Sequence, residues 1–350
     1  MKKRLVLIDF QNFLFRCLKT NYQAIGINKE NVNVIYGFFK NTYDLMKIME
    51  QGGFDCDYIY CNDSGYDARY ILSEKAVKKG IIAKTYKEDR RYRSACASDE
   101  EKAEKEENKR QANIIKELLT YTKIKQAFAN GEEADDVCGS LMYQNYDNYD
   151  SIVLVTTDQD YYQLLNNKTC IYNSIKKEWF TLQDFKDKFE LNEPSQWIDR
   201  GALLGDKGDT IIGLDGCGEV RSLKFIKEYG TLSNFIYEID NQTKELQNKY
   251  NNDLNCLCDA IYSKKEKSKL DKLCFKLLSE KEKVLLAYEL KKIRLEVNVE
   301  LEGGLSQENN LRTRLDELGV SFSESYFDKF IKSKNMSKII AALNRKRNLF

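Results

Sequence analysis

The chain alternates short apolar runs with longer stretches in which apolar residues recur at helical spacing. Four runs have the composition of buried strands: residues 5–8, 58–61, 123–128 and 151–157. Three intervening stretches place their apolar side chains on one face of a helix: residues 32–50, 106–121 and 133–147. This order predicts an α/β fold with a mainly parallel central sheet covered by helices.

The second half of the chain has a different pattern. We expect a hairpin near residues 169–180, followed by helices near 181–189 and 194–204. A glycine-rich turn and a helix from Val220 follow, and residues 231–350 are helical in pattern, with a possible strand at 294–301 and no recognisable chemistry. We therefore divide the chain into residues 1–204 and residues 205–350.

Acidic residues follow three of the predicted strands. Asp9, Asp63 and Asp158 each come at or just after the end of an apolar run. Ligands of such sheets bind beyond the carboxyl ends of the parallel strands. The sequence therefore predicts an acidic site at this edge.

Further acids fall into the same pattern. Five clusters supply the candidates for metal binding: Asp9, Asp63, Glu133, Asp135, Asp136, Asp158, Asp160, Asp206 and Asp209. The stretch GEEADD at residues 131–136 is also typical of an acidic first helical turn, a purely structural role. Converging clusters would repel strongly, by ~4 kcal/mol for two charges 4 Å apart at an effective dielectric constant of 20. Two divalent ions would remove this repulsion, and such pairs catalyse phosphodiester hydrolysis.

The composition restricts the chemistry further. The chain has 350 residues, ten cysteines and no histidine, so an imidazole base and a Ser-His triad are excluded. The cysteines show no zinc-binding spacing, and we expect them to be reduced thiols of a cytoplasmic protein. Mg²⁺ or Mn²⁺ is therefore the expected cofactor. No apolar stretch approaches the ~20 residues of a membrane helix.

Basic residues are concentrated in one segment although the formal net charge is only +1. Residues 69–93 contain nine basic and three acidic side chains, a net of +6, which is typical of an anion-binding surface. Residues 84–110 are highly charged. They form either a solvated helix or loop, or a charged gate over the acidic site, where Tyr86 and Tyr92 would stack on bases.

Several motifs, in this order, resemble the flap endonuclease and 5′-3′ exonuclease family. They are LIDFQNFLFR (7–16), YGFF (36–39), CND (61–63), YKEDR (86–90), GEEADDVCG (131–139), TTDQDYYQLL (156–165) and GDKGDTIIGLDGCGE (205–219). The resemblance covers about two thirds of the chain. Within the family, the sequence is most similar in type to the stand-alone bacteriophage enzymes and to the 5′-nuclease domain of bacterial DNA polymerase I. It implies a PIN-like 5′-nuclease fold with a helical arch at 84–110 and a helix-turn-helix module that binds duplex DNA.

The resemblance also implies roles for the acids. The first ion would be surrounded by Asp9, Asp63, Glu133, Asp135 and Asp136, and the second by Asp158, Asp160, Asp206 and Asp209. Glu132 is expected to remain a solvated cap residue. Glu132→Gln should then leave cleavage nearly intact, whereas Asp136→Asn should abolish it.

Roles for basic and aromatic residues follow from the same resemblance. Lys87 and Arg90 would meet the scissile phosphate as catalytic cations. Tyr36 would stack on a terminal base. The remaining expected nucleic-acid contacts are Arg69, Lys84, Tyr86, Arg91, Arg93, Gly213, Gly216, Gly218, Arg221 and Lys224.

The glycine-rich turn departs from the family pattern. Ile212 and Asp215 replace family prolines, and Val220 replaces a lysine. Asp215 places a negative charge where phosphate is expected, with Arg221 or Lys224 as compensation. A K⁺ ion held by the turn carbonyls is implied by the family, but these departures weaken the expectation.

The function that the sequence predicts is a metal-dependent 5′ nuclease that removes DNA flaps or RNA primers in replication and repair. A binding module with a degenerate site and a PIN-type ribonuclease remain alternatives. A phosphatase with an aspartate nucleophile is disfavoured because Gln11 stands two residues after Asp9. We expect a monomer in the cytoplasm, including that of a phage-infected bacterium. A replication clamp or single-strand-binding protein is an expected partner, with LNRKRNLF (343–350) as a docking tail or a frayed helix.

Overall fold

A seven-stranded sheet forms the centre of the protein. The computed structural model describes residues 2–18, 31–237, 276–277 and 279–331. The strands are β1 (Lys3–Asp9), β2 (Asp55–Cys61), β3 (Lys125–Phe128), β4 (Ser151–Val155), β5 (Thr169–Asn173), β6 (Glu178–Phe180) and β9 (Glu300–Gly303). Their spatial order is β6-β5-β4-β1-β2-β3-β9. The four inner pairings are parallel and the two outer ones antiparallel, which confirms the predicted sheet.

Helices cover this sheet. They are α1 (Phe10–Leu18), α2 (Asn33–Met49), α3 (Asp67–Lys78), α4 (Glu88–Ala95), α5 (Asp99–Thr120), α6 (Ala134–Gln144), α7 (Leu182–Phe189), α8 (Gln196–Leu204), α9 (Glu219–Tyr229), α10 (Lys281–Lys291), α11 (Glu308–Leu318) and α12 (Glu324–Ile331). A 3₁₀ helix spans Gln159–Leu164, and β7 (Gly205–Asp206) pairs with β8 (Ile211–Ile212) in a separate antiparallel ribbon. Residues 232–237 are also helical.

Strand β1 is buried on both faces, as expected for the centre of a parallel sheet. Leu5 and Leu7 enter one apolar cluster, whereas Val6 and Ile8 enter a second cluster on the opposite face. Successive side chains of a strand point to opposite faces, so a continuous apolar run is required here. This double burial places the end of β1 in the middle of the molecule.

The predicted arch consists of helical segments. Residues 84–110 contain α4 and the first half of α5, which begins after a capping box formed by Ser98 and Glu101. Helix α5 therefore starts earlier than the expected residue 106. Residues 84–110 are thus helical, and not a loop, along most of their length.

The strand predicted at 294–301 is wrong over most of its length. Strand β9 begins only at Glu300, and residues 292–299 form no helix or strand. The reason is that α6 takes the hydrogen bonds of this segment. The Arg294 N–H donates to Asp136 and the Val297 N–H to the Ser140 hydroxyl, so these groups are not available to a neighbouring strand. We call residues 292–299 the connecting segment.

Two other observations bear on the earlier expectations. Among the described helices, none is long and apolar enough to cross a membrane. The expected docking tail at 343–350 lies outside the described residues. Its role, and the expected clamp or single-strand-binding partner, stay predictions, as do the monomeric state and the division at residue 204.

Candidate active site

The carboxyl ends of two parallel strands bring the first acids together. Asp9 ends β1 and lies beside Cys61, the last residue of β2, two positions before Asp63. The Asp9 carboxylate accepts hydrogen bonds from the Asn12 N–H at 3.0 Å and the Tyr161 hydroxyl at 3.1 Å. Asp63 accepts from the Ala134 N–H at 2.8 Å, so it caps the start of α6. The acids therefore have fixed positions set by the backbone.

The second group of acids comes from two tight turns. Asp158 caps the 3₁₀ helix by accepting from the Asp160 N–H at 2.9 Å. Asp206 lies in the β7–β8 ribbon and accepts from the N–H groups of Gly208 and Asp209. The ribbon packs so closely on α8 that a Cβ at Gly213 would lie 2.4 Å from the Leu204 carbonyl carbon. Only glycine fits there.

These elements enclose a cavity of about 550 Å³. Eight of the nine predicted metal-binding acids line it: Asp9, Asp63, Glu133, Asp135, Asp158, Asp160, Asp206 and Asp209. The basic residues that line it number four: Arg69, Lys87, Arg90 and Lys291. Eight carboxylates against four cations leave a formal charge of −4 when all are ionised. The donor set, hard oxygen ligands in negative excess, fits divalent cations such as Mg²⁺ or Mn²⁺.

The pKa values of the cavity acids reflect this crowding. Desolvation raises the pKa of Asp9 to about 7, and the charges of Asp63 and Asp158 add to the effect. Desolvation also raises the pKa of Asp160 to about 6, although Lys291 opposes the shift. For Asp206 the balance is reversed: burial is outweighed by Lys291 and two backbone N–H groups, which lower its pKa. The acids therefore respond individually to the nearest cation.

Three of the basic side chains already pair with the acids. Arg69 contacts Glu133 at 2.8 Å, Lys291 contacts Asp160 at 2.7 Å, and Lys87 pairs with Glu133. Within the described residues, no group of three or more acidic or cysteine side chains is arranged as a ready metal site. The predicted ion sites are therefore not preassembled, because several carboxylate oxygens are turned toward protein cations.

Asp136 does not line this cavity, and its role as an ion ligand stays a prediction. Its side chain is completely buried, and Arg69 contacts both carboxylate oxygens at 2.6 and 3.0 Å. Arg294 donates to the same oxygens through its backbone N–H and its guanidinium. Consecutive helical residues point about 100° apart, so Asp135 faces the cavity while Asp136 faces the connecting segment. In this arrangement Asp136 links α6 to α3 and to the connecting segment.

Two family models together match most of the chain. Residues 4–190 match the N-terminal, resolvase-like domain of 5′-3′ exonucleases, and residues 192–312 match the C-terminal SAM fold of the same enzymes. The chain belongs to the 5′-3′ exonuclease family.

Individual relatives of this exonuclease family agree. The chain is 26% identical over 243 residues to the thermostable DNA polymerase I of Thermus thermophilus, covering 68% of this chain and 26% of the polymerase. It is 25% identical to the 5′-3′ exonuclease of Buchnera aphidicola, covering 86% of this chain and 89% of that protein. The chain thus spans only about a quarter of its polymerase relatives.

Solved structures support the fold. The flap endonuclease of bacteriophage T5, in complex with DNA and metal ions, superposes with a TM-score of 0.57 at 19% identity and covers 96% of this chain and 98% of that chain. Flap endonuclease-1 of Methanococcus jannaschii gives 0.51 at 15% identity, with coverage of 94% and 91%. At such identities the likeness establishes the architecture alone.

Three residues expected to contact nucleic acid make polar contacts within the protein. Arg69 is 4% exposed and surrounded by carboxylates, and Tyr86 is 3% exposed, with its hydroxyl 2.9 Å from Glu133. Arg91 donates to the Tyr86 carbonyl at 2.7 Å and to the Thr85 hydroxyl at 2.6 Å. Arg69 and Tyr86 also line the cavity, and the contacts of these three residues with nucleic acid stay predictions.

Tyr36 stacks on another aromatic ring of the protein, and its stacking on a terminal base stays a prediction. Its ring stacks on Phe322, with the ring planes 1° apart and the centroids 5.4 Å apart, and it does not line the cavity. In contrast, Arg90 is exposed at the cavity, and Lys84 and Arg93 are exposed on the same segment. Lys84 pairs with Asp89, whereas the Arg93 guanidinium donates to the Asp89 carbonyl.

The glycine-rich turn differs from the expectation in two ways. Arg221 donates to the Gly216 carbonyl at 2.6 Å, so one of the carbonyls expected to hold K⁺ already has a cationic partner. Asp215 pairs with Lys276, so its charge is compensated by neither Arg221 nor Lys224. Gly216 has a φ of +79°, as a tight turn requires. Gly218 starts α9, and Lys224 is exposed.

Three contacts were missed by the sequence analysis. Lys291 and Arg294, in a region without recognised chemistry, both reach the acids. Glu132, expected to be solvated, pairs with Arg294 instead. Nothing in the local sequence marks these two basic residues among the chain's 56. The presence of Tyr161 beside the acids could have been predicted, because it directly follows Asp160 in the TTDQDYY motif.

Proposed function

We propose that the protein is a structure-specific, metal-dependent 5′ nuclease. Its substrates would be DNA flaps or RNA primers, cut near the 5′ end during replication and repair. The observation that carries the proposal is the cavity with eight acids at the carboxyl ends of parallel strands, bounded by the exposed cation Arg90 and by Lys87. The complex of the T5 enzyme with DNA and metal ions supports this proposal.

Two divalent ions fit the two groups of acids. Asp9, Asp63, Glu133 and Asp135 would hold the first, and Asp158, Asp160, Asp206 and Asp209 the second. Bound divalent ions supply charge stabilisation for phosphodiester hydrolysis and lower the pKa of water. The K⁺ ion is left out of the proposal, since Arg221 occupies a turn carbonyl.

The protein's own cations would handle the substrate phosphate. Lys87 sits at the N-terminus of α4 with a φ of +56°, and its backbone N–H donates to the Asp209 carbonyl at 2.8 Å. This link fixes the backbone of Lys87, and the ammonium group pairs with Glu133 among the acids. Arg90, one turn later and exposed, is placed to meet a phosphate entering the cavity.

The test uses a 5′-labelled DNA flap and an RNA-primed duplex, each with Mg²⁺ or with EDTA. We expect the wild type to cut at least one substrate with Mg²⁺ and neither with EDTA. Asp158→Asn should lose cleavage, whereas Asp147→Asn, a matched change at an exposed acid of the surface, should not. The proposal fails if the wild type cuts neither substrate, if EDTA has no effect, or if Asp158→Asn cuts as well as the wild type.

A further inference from the structure

Lys291 is held in the cavity by both its backbone and its side chain. It is the last residue of α10, and its carbonyl accepts a hydrogen bond from the Gln163 side chain at 3.1 Å. Its aliphatic stem passes over Gly201 of α8, where an added Cβ would lie 3.2 Å from the lysine Cε. The side chain is only 9% exposed. Packing and hydrogen bonding therefore fix the position of this side chain.

The ammonium group of Lys291 bridges two acids of the second group. Its Nζ lies 2.7 Å from Asp160 and 3.0 Å from Asp206. The other oxygen of Asp206 already accepts from the N–H groups of Gly208 and Asp209. An ion that binds Asp206 must therefore use the oxygen that Lys291 now contacts.

In the first group, Arg69 and Lys87 pair with Glu133, whereas Asp9 and Asp63 lie outside the reach of Lys291. Asp9 accepts only neutral donors, the Asn12 N–H and the Tyr161 hydroxyl, among its hydrogen bonds in the described structure. Asp63 likewise accepts from the Ala134 N–H. An ion could bind these two carboxylates without displacing any side chain that carries a positive charge. Lys291 therefore contacts the second group and not these two acids of the first.

We infer that Lys291 is a resident counter-ion of the second ion site and competes with a divalent ion for Asp160 and Asp206. The inference rests on the proposed two-ion function. The second ion binds only when the lysine side chain withdraws, whereas the first binds independently of it. In the absence of that ion, Lys291 neutralises part of the charge of the second group and keeps the ribbon and the 3₁₀ helix together.

The test measures Mn²⁺ binding by electron paramagnetic resonance, without nucleic acid, so the readout does not depend on nuclease activity. We expect the wild type to bind two Mn²⁺ ions, with the site at Asp160 and Asp206 weakened by Lys291. Lys291→Met keeps the length of the side chain and removes its charge. It should tighten the second site about tenfold or more, because the competing positive charge is gone, and leave the first unchanged.

Lys292→Met is the matched control, because its side chain is exposed and has no acidic partner among the described ion pairs. It should bind Mn²⁺ as the wild type does. A second readout is the melting temperature: Mg²⁺ should raise it more in Lys291→Met than in the wild type. Circular dichroism checks that each variant is folded, and Lys291→Gln replaces Lys291→Met if the latter is not.

Equal Mn²⁺ isotherms for wild type and Lys291→Met, or weaker binding by the variant, would overturn the inference. If the wild type also cleaves the flap with Mg²⁺, the proposed function stands and only the role of Lys291 is wrong. If neither protein binds Mn²⁺ and neither cleaves, the proposed function itself fails.

Discussion

Arg294 donates two hydrogen bonds to Asp136, one from its backbone N–H at 2.8 Å and one from its guanidinium at 3.0 Å. The two residues are 158 positions apart in the sequence. Asp136 lies in the first turn of α6, and Arg294 lies in the connecting segment that follows α10. Together with Arg69, this contact ties the C-terminal matched region to the acidic cavity. The pairing compensates a carboxylate that has no access to water.

Removing the guanidinium should therefore weaken the protein. We expect Arg294→Met to lower the free energy of unfolding by about 1–3 kcal/mol, because a buried carboxylate loses a charged hydrogen-bond donor. Urea unfolding measures this change. Arg312→Met is the control and should cost much less, because Arg312 pairs with Glu308 and Glu324 at the surface. Equal effects of the two changes would contradict a structural role for the contact.

Gly139 allows the connecting segment to approach α6. A Cβ at this position would lie 2.6 Å from the Ile293 side chain and 3.1 Å from that of Leu295. Gly139→Ala should destabilise the protein by about 1–3 kcal/mol through overpacking, despite the better helix propensity of alanine. Thermal unfolding is the measurement. Gly218→Ala, where no atom lies within 4 Å of the added Cβ, should be much milder. A melting temperature of Gly139→Ala at or above that of the wild type would show that the segment does not need this close approach.

Lys87 is expected to act on the substrate rather than on stability. Lys87→Met should reduce the single-turnover rate of flap cleavage by about 10²-fold, since a cation near the transferred phosphate is removed. Lys176→Met, at an exposed lysine between β5 and β6 that has no predicted contact with nucleic acid, should change the rate little. Similar rates for Lys87→Met and the wild type would exclude a catalytic role for this ammonium.

The buried carboxylate of Asp199, which lies outside the cavity, should make the stability of the protein depend on pH. Burial raises its pKa to about 6, although the Leu232 N–H donates to its carboxylate. Between the unfolded pKa of 3.8 and about 6, the folded state binds more protons, so the free energy of unfolding falls as the pH rises. Asp199→Asn should remove this loss.

At pH 7 we expect the free energy of unfolding of Asp199→Asn to exceed that of the wild type by at most about 3 kcal/mol. This limit corresponds to a pKa shift of roughly two units. The difference should shrink to near zero at pH 3.5. Urea unfolding at both pH values tests this. A gain of equal size at both would show that the ionisation of Asp199 is not its cause.

The acids at the strand ends were predictable because a local pattern carries them. Each follows an apolar run, and parallel strands bring their carboxyl ends to one edge of the sheet. Asp9, Asp63 and Asp158 therefore needed no knowledge of distant contacts. The surroundings of Asp136 were not predictable, because motif position does not reveal which of two adjacent helical residues faces a cavity. That choice depends on what packs against the helix, here Arg69 and Arg294.

The apolar periodicity and the order of the acidic motifs determined the parallel sheet, its buried central strand and the location of the acidic edge. These properties depend on contacts that every strand of that pattern must make. Tertiary structure alone decided which cations reach the acids: Lys291 approaches Asp160 from 131 positions away, and Arg69 joins α3 to α6 and α10. A lysine at the end of an amphipathic helix is ordinarily solvated. Only the packing of α10 on α8 turns this one inward.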